Sequence, residues 1–564
     1  DGLALTPSSF GETKENIWIP KDTSGLTFGT NGFRLQFKNS SVGSASSSTV
    51  GADTSGNDHH LSSNNITTTD NMTDSPTDNH ATMNPAANTF FQGTFSDGNL
   101  QIVPGSFTFA TSTIGMTSGK YYAEVEFEAN SAAQMLCGIS RVEPVANGDN
   151  LGSKNGQIGY YNVNGNKLVN GATAASYGAT YTVGDIIGIA VNMDDGEIEF
   201  FKNNASQGTI TGAIDTTKTY FFASGDFSSA NNNTMIWNYG ANAFTYTPPS
   251  GFEKLSTANL PNPAIDPAQG ENPTEYFNTL TWTGNTATSR AFTGVGFQPD
   301  WLWSKSRSAT RSHALFDSVR GVTKYLASDS SAAEISSPSS GFLSSFDADG
   351  FTATEGSSNF QNLNNNSETY VGWLWKAGGS AASNSNGSIT SSVSVSTEAG
   401  FSVVSYVGTA SNSTIGHGLN STPDMLIVKN RDRSAQWTVW HNGLNANQIF
   451  ELSTNAGVQT DNIFWNNTFP TSTVFSVAGP GDNSTNASGE DIIAYCFHSV
   501  EGYSKFGTYT DSVVGSDFEN TSPFVYTGFR PAWLMIKSTS SGRDWVIYDN
   551  KRTPDNGVYL ESNT

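Results

Sequence analysis

Three stretches of the chain open in the same way, with a proline ahead of a short apolar strand that closes on lysine. They read "QPDWLWSKS" around Pro299, "TPDMLIVKN" around Pro423 and "RPAWLMIKS" around Pro531. The anchors lie 124 and 108 residues apart, the spacing of small domains rather than of solenoid coils. A polar turn and a second strand follow each time, at 313–317, 437–441 and 544–549. In the second copy Trp437 and Val439 alternate with Thr438, the period of a sheet. A third apolar run starts at Lys324, Ile449 and Val558. The first two copies continue into "YVGWLWKAGG" from Tyr370 and "DIIAYCFHSVEGYSKFGTY" from Asp491, and the third does not. Half a β-domain leaves unpaired edges, so the expectation is a chain that forms part of a longer protein.

Composition supports an all-β reading. The 564 residues include 56 glycines and 12% aromatics but only 14% charged side chains, which fits short strands joined by polar turns. That length predicts about four domains of roughly 150 residues. Acidic residues outnumber basic ones by 50 to 27, a net charge of −23, which repels phosphate backbones and argues against nucleic-acid partners. No apolar run approaches the roughly 18 to 20 residues that cross a bilayer, so membrane insertion is not expected. Cys137 and Cys496 sit in apolar strand patterns and are read as buried free thiols.

The expected organisation begins with an extended, partly low-complexity segment, 1–85. Its polar stretch, which includes His59 and His60, is too poor in large apolar residues to bury its own core, and is expected to wrap another domain or stay mobile. Adjacent histidines on an extended chain point to opposite faces, which disfavours a metal site. A β-sandwich follows at 86–258, then a linker at 259–273. β-module repeat 1 spans 274–379, a Ser/Asn/Gly-rich linker 380–397, repeat 2 398–512, and the incomplete start of repeat 3 513–564. In the sandwich, Tyr121, Ala123, Val125 and Phe127 alternate with Tyr122, Glu124, Glu126 and Glu128, a half-buried strand with an acidic outer face. "VGDIIGIAVNMDDGEIEFFKNN" reads as a hairpin turning at Asp194–Gly196.

"GKYYAEVEFE", "VGDIIGIAVNMDDGEIEFFKNN" and "NYGANAFTYTPPSGFEKL" resemble the successive hallmarks of a SPRY domain. The resemblance implies a SPRY-like (concanavalin-like) antiparallel β-sandwich whose variable loops bind, with no catalytic chemistry. "YFNTLTWTGN", "LFDSVRGVTKYL", "SFDADGFT" and "FVYTGFRPAWLMIKS" resemble segments of tail-fibre proteins of marine bacteriophages, where a SPRY domain precedes tandem β-modules. That resemblance implies a virion-surface, extracellular protein partnered by other virion proteins and by a host-surface glycan or protein. It also implies a homo-oligomer, with a trimer as the family expectation. On this reading a repeated module extends a fibre's reach.

No Gly-x-Ser-x-Gly, phosphate loop or His-Glu-x-x-His occurs, and neither a cofactor nor enzymatic activity is expected. Asp347 and Asp349 in "SFDADGFT" are weak metal candidates, because an EF-hand loop needs further ligands at fixed offsets, and a hairpin turn is favoured. Exposed aromatics beside amide-rich turns suit stacking on a sugar or peptide, which singles out Tyr160, Tyr161, Tyr177 and Tyr181 as ligand-binding candidates. The competing reading makes one member of each pair core and the other rim. Trp301, Trp303, Trp373, Trp375, Trp440 and Trp533 fall inside strand patterns and are read as packing residues. The function expected is a non-enzymatic tail fibre or receptor-binding adhesin. The alternatives are a capsid-decorating virion protein, a fibre-borne polysaccharide depolymerase needing two carboxylates about 5 to 10 Å apart, and a cellular adhesin.

Overall fold

The computed structural model describes residues 5–14, 17–67, 74–75, 78–86, 93–105, 108–129, 134–141, 150–227, 233–285, 287–481, 483–509, 524–552 and 560–561. Every regular element among them is a β-strand or a short 3₁₀ turn, so the chain is all-β. It divides into two compact units: Asp1–Pro261 with Tyr509–Tyr526, and Asn262–Thr508 with Thr527–Thr564.

The first unit is built on two antiparallel sheets. One runs, edge to edge, through Ala175–Ser176, Asn166–Val169, Gln157–Tyr161, Met135–Ser140, Phe221–Asp226 and Phe109–Thr111. The other runs through Ala205–Ile210, Glu197–Lys202, Ile186–Asn192, Lys120–Ala129, Thr234–Asn238, Gln101–Val103 and Thr94–Ser96, and Glu253–Lys254 pairs in parallel with Lys120–Ala129. Side chains of alternate residues fill the core between them. Tyr121, Ala123, Val125 and Phe127 from one sheet join Met135, Cys137 and Ile139 from the other. The Asp194–Gly196 turn closes a hairpin, with Gly196 at φ +71°, a conformation that glycine adopts without steric cost.

The N-terminal segment docks on this sandwich in part. Ala81 and Met83 lie in its core, and His80 is clamped between Asp74, to which its Nδ1 donates at 2.8 Å, and Lys254, whose ammonium donates to Nε2 at 2.9 Å. The polar stretch before it is held by its own hydrogen bonds. Asp53 accepts from the backbone N–H groups of Arg34, Ser55 and His59, and His60 accepts from the N–H of Asp53. Both histidines of the pair therefore act as loop locks, with His59 meeting the Thr30 carbonyl at 2.9 Å.

In the second unit the Pro-led strands are Trp301–Ser306, Met425–Asn430 and Trp533–Ile536. Each pairs with a return strand, Ala314–Asp317, Thr438–His441 or Val546–Asp549. In the first two repeats the opposite edge pairs with a closing strand, Thr369–Trp375 or Asp491–Phe497. The lysine ending each Pro-led strand has one job in all three copies. Its ammonium donates to a carbonyl of the following turn: Lys305 to Arg311, Lys429 to Arg433, Lys537 to Arg543.

Two sequence expectations are corrected here. Residues 380–397 are not a linker, since Ala382–Asn384 and Ser391–Ser396 are strands of the second repeat's sheet. Val393 is buried there, and the small polar Ser391 is buried with its hydroxyl satisfied by the Gly416 carbonyl, so serine-rich composition did not prevent strand formation. Nor are the three repeats strung as separate beads. One aromatic core takes Trp301 and Trp373 from the first, Phe401 and Tyr495 from the second, and Trp545 and Ile547 from the third.

Polar contacts cross every pair of repeats. Tyr495 donates to Asp317 at 2.7 Å, and Trp373 donates to Asp549 at 3.0 Å. Indole N–H groups of Trp437 and Trp545 reach the Ala327 and Glu451 carbonyls at 2.8 and 3.0 Å. The first repeat touches the second, the second the third and the third the first.

Buried His417 gives the second unit an acid-sensitive point. Nδ1 accepts from the Leu419 N–H at 3.2 Å and Nε2 donates to the Thr471 carbonyl at 3.1 Å, an arrangement that only the neutral ring satisfies. Burial pushes its pKa down from 6.5 to about 4. Unfolded chains therefore bind the proton first. The stability this residue contributes is fully present above pH 6.5 and is lost as pH falls through 4, on the order of 3 kcal/mol. Urea unfolding between pH 7 and 4 is expected to show a drop that His417→Gln, whose amide can donate and accept, flattens. Equal slopes for the two proteins would contradict it.

Candidate functional site

Of the four tyrosines expected at a binding surface, the structure places two inside. Tyr160 and Tyr161 are neighbours on one strand and point to opposite faces. Tyr160 is buried, its ring 4.9 Å from Tyr181 and 5.2 Å from Phe200, and its hydroxyl donates to the Ala179 carbonyl. Tyr181 is buried too, donating to the Tyr160 carbonyl at 2.6 Å and lying 3.7 Å from the Cys137 sulfur. Tyr160 and Tyr181 are therefore corrected from ligand-facing to core residues. Half-buried Tyr161 and Tyr177 keep accessible ring surface. They do not form one face: Tyr161 packs on Phe227 in a small outer cluster, whereas Tyr177 packs edge-on to Tyr160 against the main core. Lys167 holds its ammonium 5.5 Å from the Tyr177 ring centre, and burial pushes the phenol up to about 12.

The outer face of the eight-stranded sheet offers a cleft of about 190 Å³ lined by Asp97, Glu124, Glu126, Asn238, Asn242 and Thr245. The sequence reading made its floor the acidic outer face of a half-buried strand. Instead Tyr122 and Glu124 are buried, because the segment leaving the Thr234–Asn238 strand folds back over them. Phe244 meets the Tyr122 ring edge-on at 5.0 Å, and the Thr245 and Tyr246 N–H groups each donate to the Glu124 carboxylate at 2.8 Å. Glu124 thus builds the wall, leaving half-buried Asp97 and Glu126 beside the amides of Asn238 and Asn242. The cleft sets these acceptors beside an apolar lining of Leu100, Ile186 and Ile236, which suits a group carrying hydroxyl or ammonium donors on an apolar frame. In the sequence, Phe244 was the available signal, an apolar ring that needed a surface to cover. Glu124→Gln keeps shape but turns an amide donor toward an N–H, and is expected to cost about 1–3 kcal/mol. Urea unfolding checks this, and a change below about 0.5 kcal/mol, roughly half of an ordinary hydrogen bond, would remove Glu124 from its anchoring role.

The other carboxylates singled out by sequence are turn formers. Asp347 accepts from Ser345 and Thr352 hydroxyls at 2.6 and 2.7 Å, while Asp349 accepts from the Gly294 and Gly296 N–H groups at 3.0 and 2.7 Å. Those N–H groups hold the Asp349 carboxyl below its usual range. Among the described residues no three His, Cys, Asp or Glu side chains are grouped to hold a metal ion. Asp194 and Asp195 bond to Gly119 N–H and to Asn192 and Lys120 respectively. Cys137 and Cys496 are buried and unpaired, with burial pushing both thiols up to about 12.

Comparison with known families adds two matches. Residues 272–564 match the model of a domain of unknown function, DUF7483, and residues 120–240 match that of the SPRY domain. Solved structures similar to the chain include stonustoxin at 15% identity, the SPRY domain of human HERC1 at 20%, and the TRIM65 PSpry domain at 15%. Each covers 28% of this chain, at TM-scores of 0.24, 0.24 and 0.23. The matched part spans 27% of the stonustoxin chain, 96% of the HERC1 domain and 90% of the TRIM65 domain. No protein of curated description matches.

Proposed function

Because the chain belongs to the family defined by the DUF7483 domain and carries a SPRY domain ahead of it, we propose that it is a non-enzymatic recognition protein of a bacteriophage virion. In this reading it is a segment of a tail fibre or receptor-binding adhesin at the virion surface. The observation that carries the proposal is the pairing, in one chain, of a loop-bearing SPRY-type sandwich with repeats closed around an aromatic core. SPRY domains serve as protein-interaction modules, and the sandwich here has both rim aromatics and a cleft that mixes acceptors with apolar side chains for a host-surface glycan or protein. The sequence likeness to marine phage fibre segments supplies the virion context. Assembly as a homo-oligomer, a trimer in the fibre pattern, multiplies weak contacts through high effective concentration.

The test is binding of the purified chain to intact host cells, with competition against infection by the parent phage and antibody localisation on virions. Saturable binding that blocks infection supports the proposal. Attachment to the capsid without cell binding makes it a shell-decorating protein, and release of reducing ends from host polysaccharide makes it a depolymerase.

A further inference from the structure

On the outer face of the eight-stranded sheet, one row sets a carboxylate between two aliphatic side chains. Glu126 stands opposite Ile186 on one neighbouring strand and Ile236 on the other. All three line the cleft of about 190 Å³, together with Asp97 and Leu100. Cross-strand neighbours on one face lie roughly 5 Å apart, so one small group reaches the charge and both isoleucines at once. Three other glutamates of this face are engaged. Glu124 accepts from the Thr245 and Tyr246 N–H groups, Glu128 from the Gln101 amide, and Glu199 from the Ser206 and Thr209 hydroxyls. Asp97 and Glu126 differ: both are half-buried, and neither carboxylate has a hydrogen-bond or ion-pair partner among the described residues. Two acids held partly out of water without a counter-charge favour a cation.

The rest of the lining narrows which cation fits. A guanidinium is best held by stacking on an aromatic face, and the aromatic residue of the lining, Trp237, is buried with its ring in the core. An amino sugar surrounds its ammonium with hydroxyls, which Ile186 and Ile236 leave unanswered. A lysine side chain brings a compact ammonium on four methylenes and buries that stem along apolar surface. We infer that the cleft receives a lysine side chain of a partner protein, its stem on Leu100, Ile186 and Ile236 and its ammonium on Asp97 and Glu126. The net charge of −23 favours the approach of such a partner. That a partner protein presents the lysine rests on the recognition function proposed above.

Saturation-transfer NMR on the purified chain provides the test, with Nα-acetyl-lysine N-methylamide as the probe. Expected is saturable transfer to its side-chain methylenes, and weaker binding of the norleucine analogue, which keeps a stem and lacks the ammonium. Asp97→Asn and Glu126→Gln should each weaken the lysine probe about two- to fivefold, the range of a partly exposed charge pair, and the double variant roughly tenfold. Each removes an unpaired charge, so the melting temperature of the free chain should stay the same or rise. Attraction of cations to the chain's overall charge would leave the probe's affinity unaltered in the variants, and that result would overturn the inference. Absence of saturable transfer, or tighter binding of glucosamine or of the arginine analogue, would do the same. Cell binding decides the recognition function separately. A chain that binds cells but not the probe keeps that function and loses this site, and a chain that binds the probe but not cells keeps the site and loses the function.

Discussion

Asp317→Ala is expected to lower the stability of the repeat unit by about 3–5 kcal/mol, the usual cost of leaving a buried charge without its partner. Asp317 and Arg320 are both fully enclosed, and the carboxylate does three things at once. It accepts from the Arg320 side chain, from the backbone N–H groups of Val319 and Arg320, and from the Tyr495 hydroxyl of the second repeat. Removing it strands the guanidinium in the core, where Glu334 at 3.2 Å and the Leu315 and Lys324 carbonyls at 3.0 and 3.3 Å remain as its acceptors. Glu334 is itself engaged by Nε and Nη2 of Arg431. Asp317→Ala combined with Arg320→Met should recover much of the loss, since well-packed apolar replacements of buried pairs are often near neutral. Urea unfolding followed by tryptophan fluorescence measures both. A double variant as unstable as the two single losses added together would mean the pair is not coupled.

Trp301→Ala is expected to cost about 3–5 kcal/mol through the cavity it leaves. Its ring lies 4.3 Å from Tyr495, 4.5 Å from Trp375 and 5.7 Å from Phe401, so the hole opens between the first and second repeats. The loss should therefore appear in both, with one cooperative transition moving to lower temperature while that of the SPRY-type sandwich stays in place. Hydrogen exchange reads this directly. Core amides of 425–430 and 491–497 should lose protection together with those of 301–306; unchanged protection in the second repeat would show that the repeats unfold independently.

What the sequence made legible was local. Period-2 alternation located the Lys120–Ala129 strand, and the proline and lysine at its ends marked each Pro-led strand. Partners distant along the chain were not legible. Asp317 and Asp549 stood out only as the last residues of short strands, but the donors that bury them lie 178 and 176 residues away. Composition misled in the other direction at 380–397, where serine is small enough to enter a core once its hydroxyl finds a carbonyl. For the binding surface, spacing along the strand separated Tyr160 from Tyr161, and which of them faced inward depended on the opposite sheet. Glu124 looked like solvent-facing charge because the loop that claims it arrives about 120 residues later.

The contacts that close the repeats around one another bear on how such a gene can change. In a linear array, unequal recombination can add or delete a unit and leave the neighbours folded. Here the second repeat supplies the hydroxyl that Asp317 needs, the first supplies the indole that Asp549 needs, and a deletion of either leaves an acid and its arginine sealed without their third partner. Loss of any one of these repeats is thereby penalised by side-chain chemistry, and lineages carrying this unit should diversify in their loops while keeping the three together.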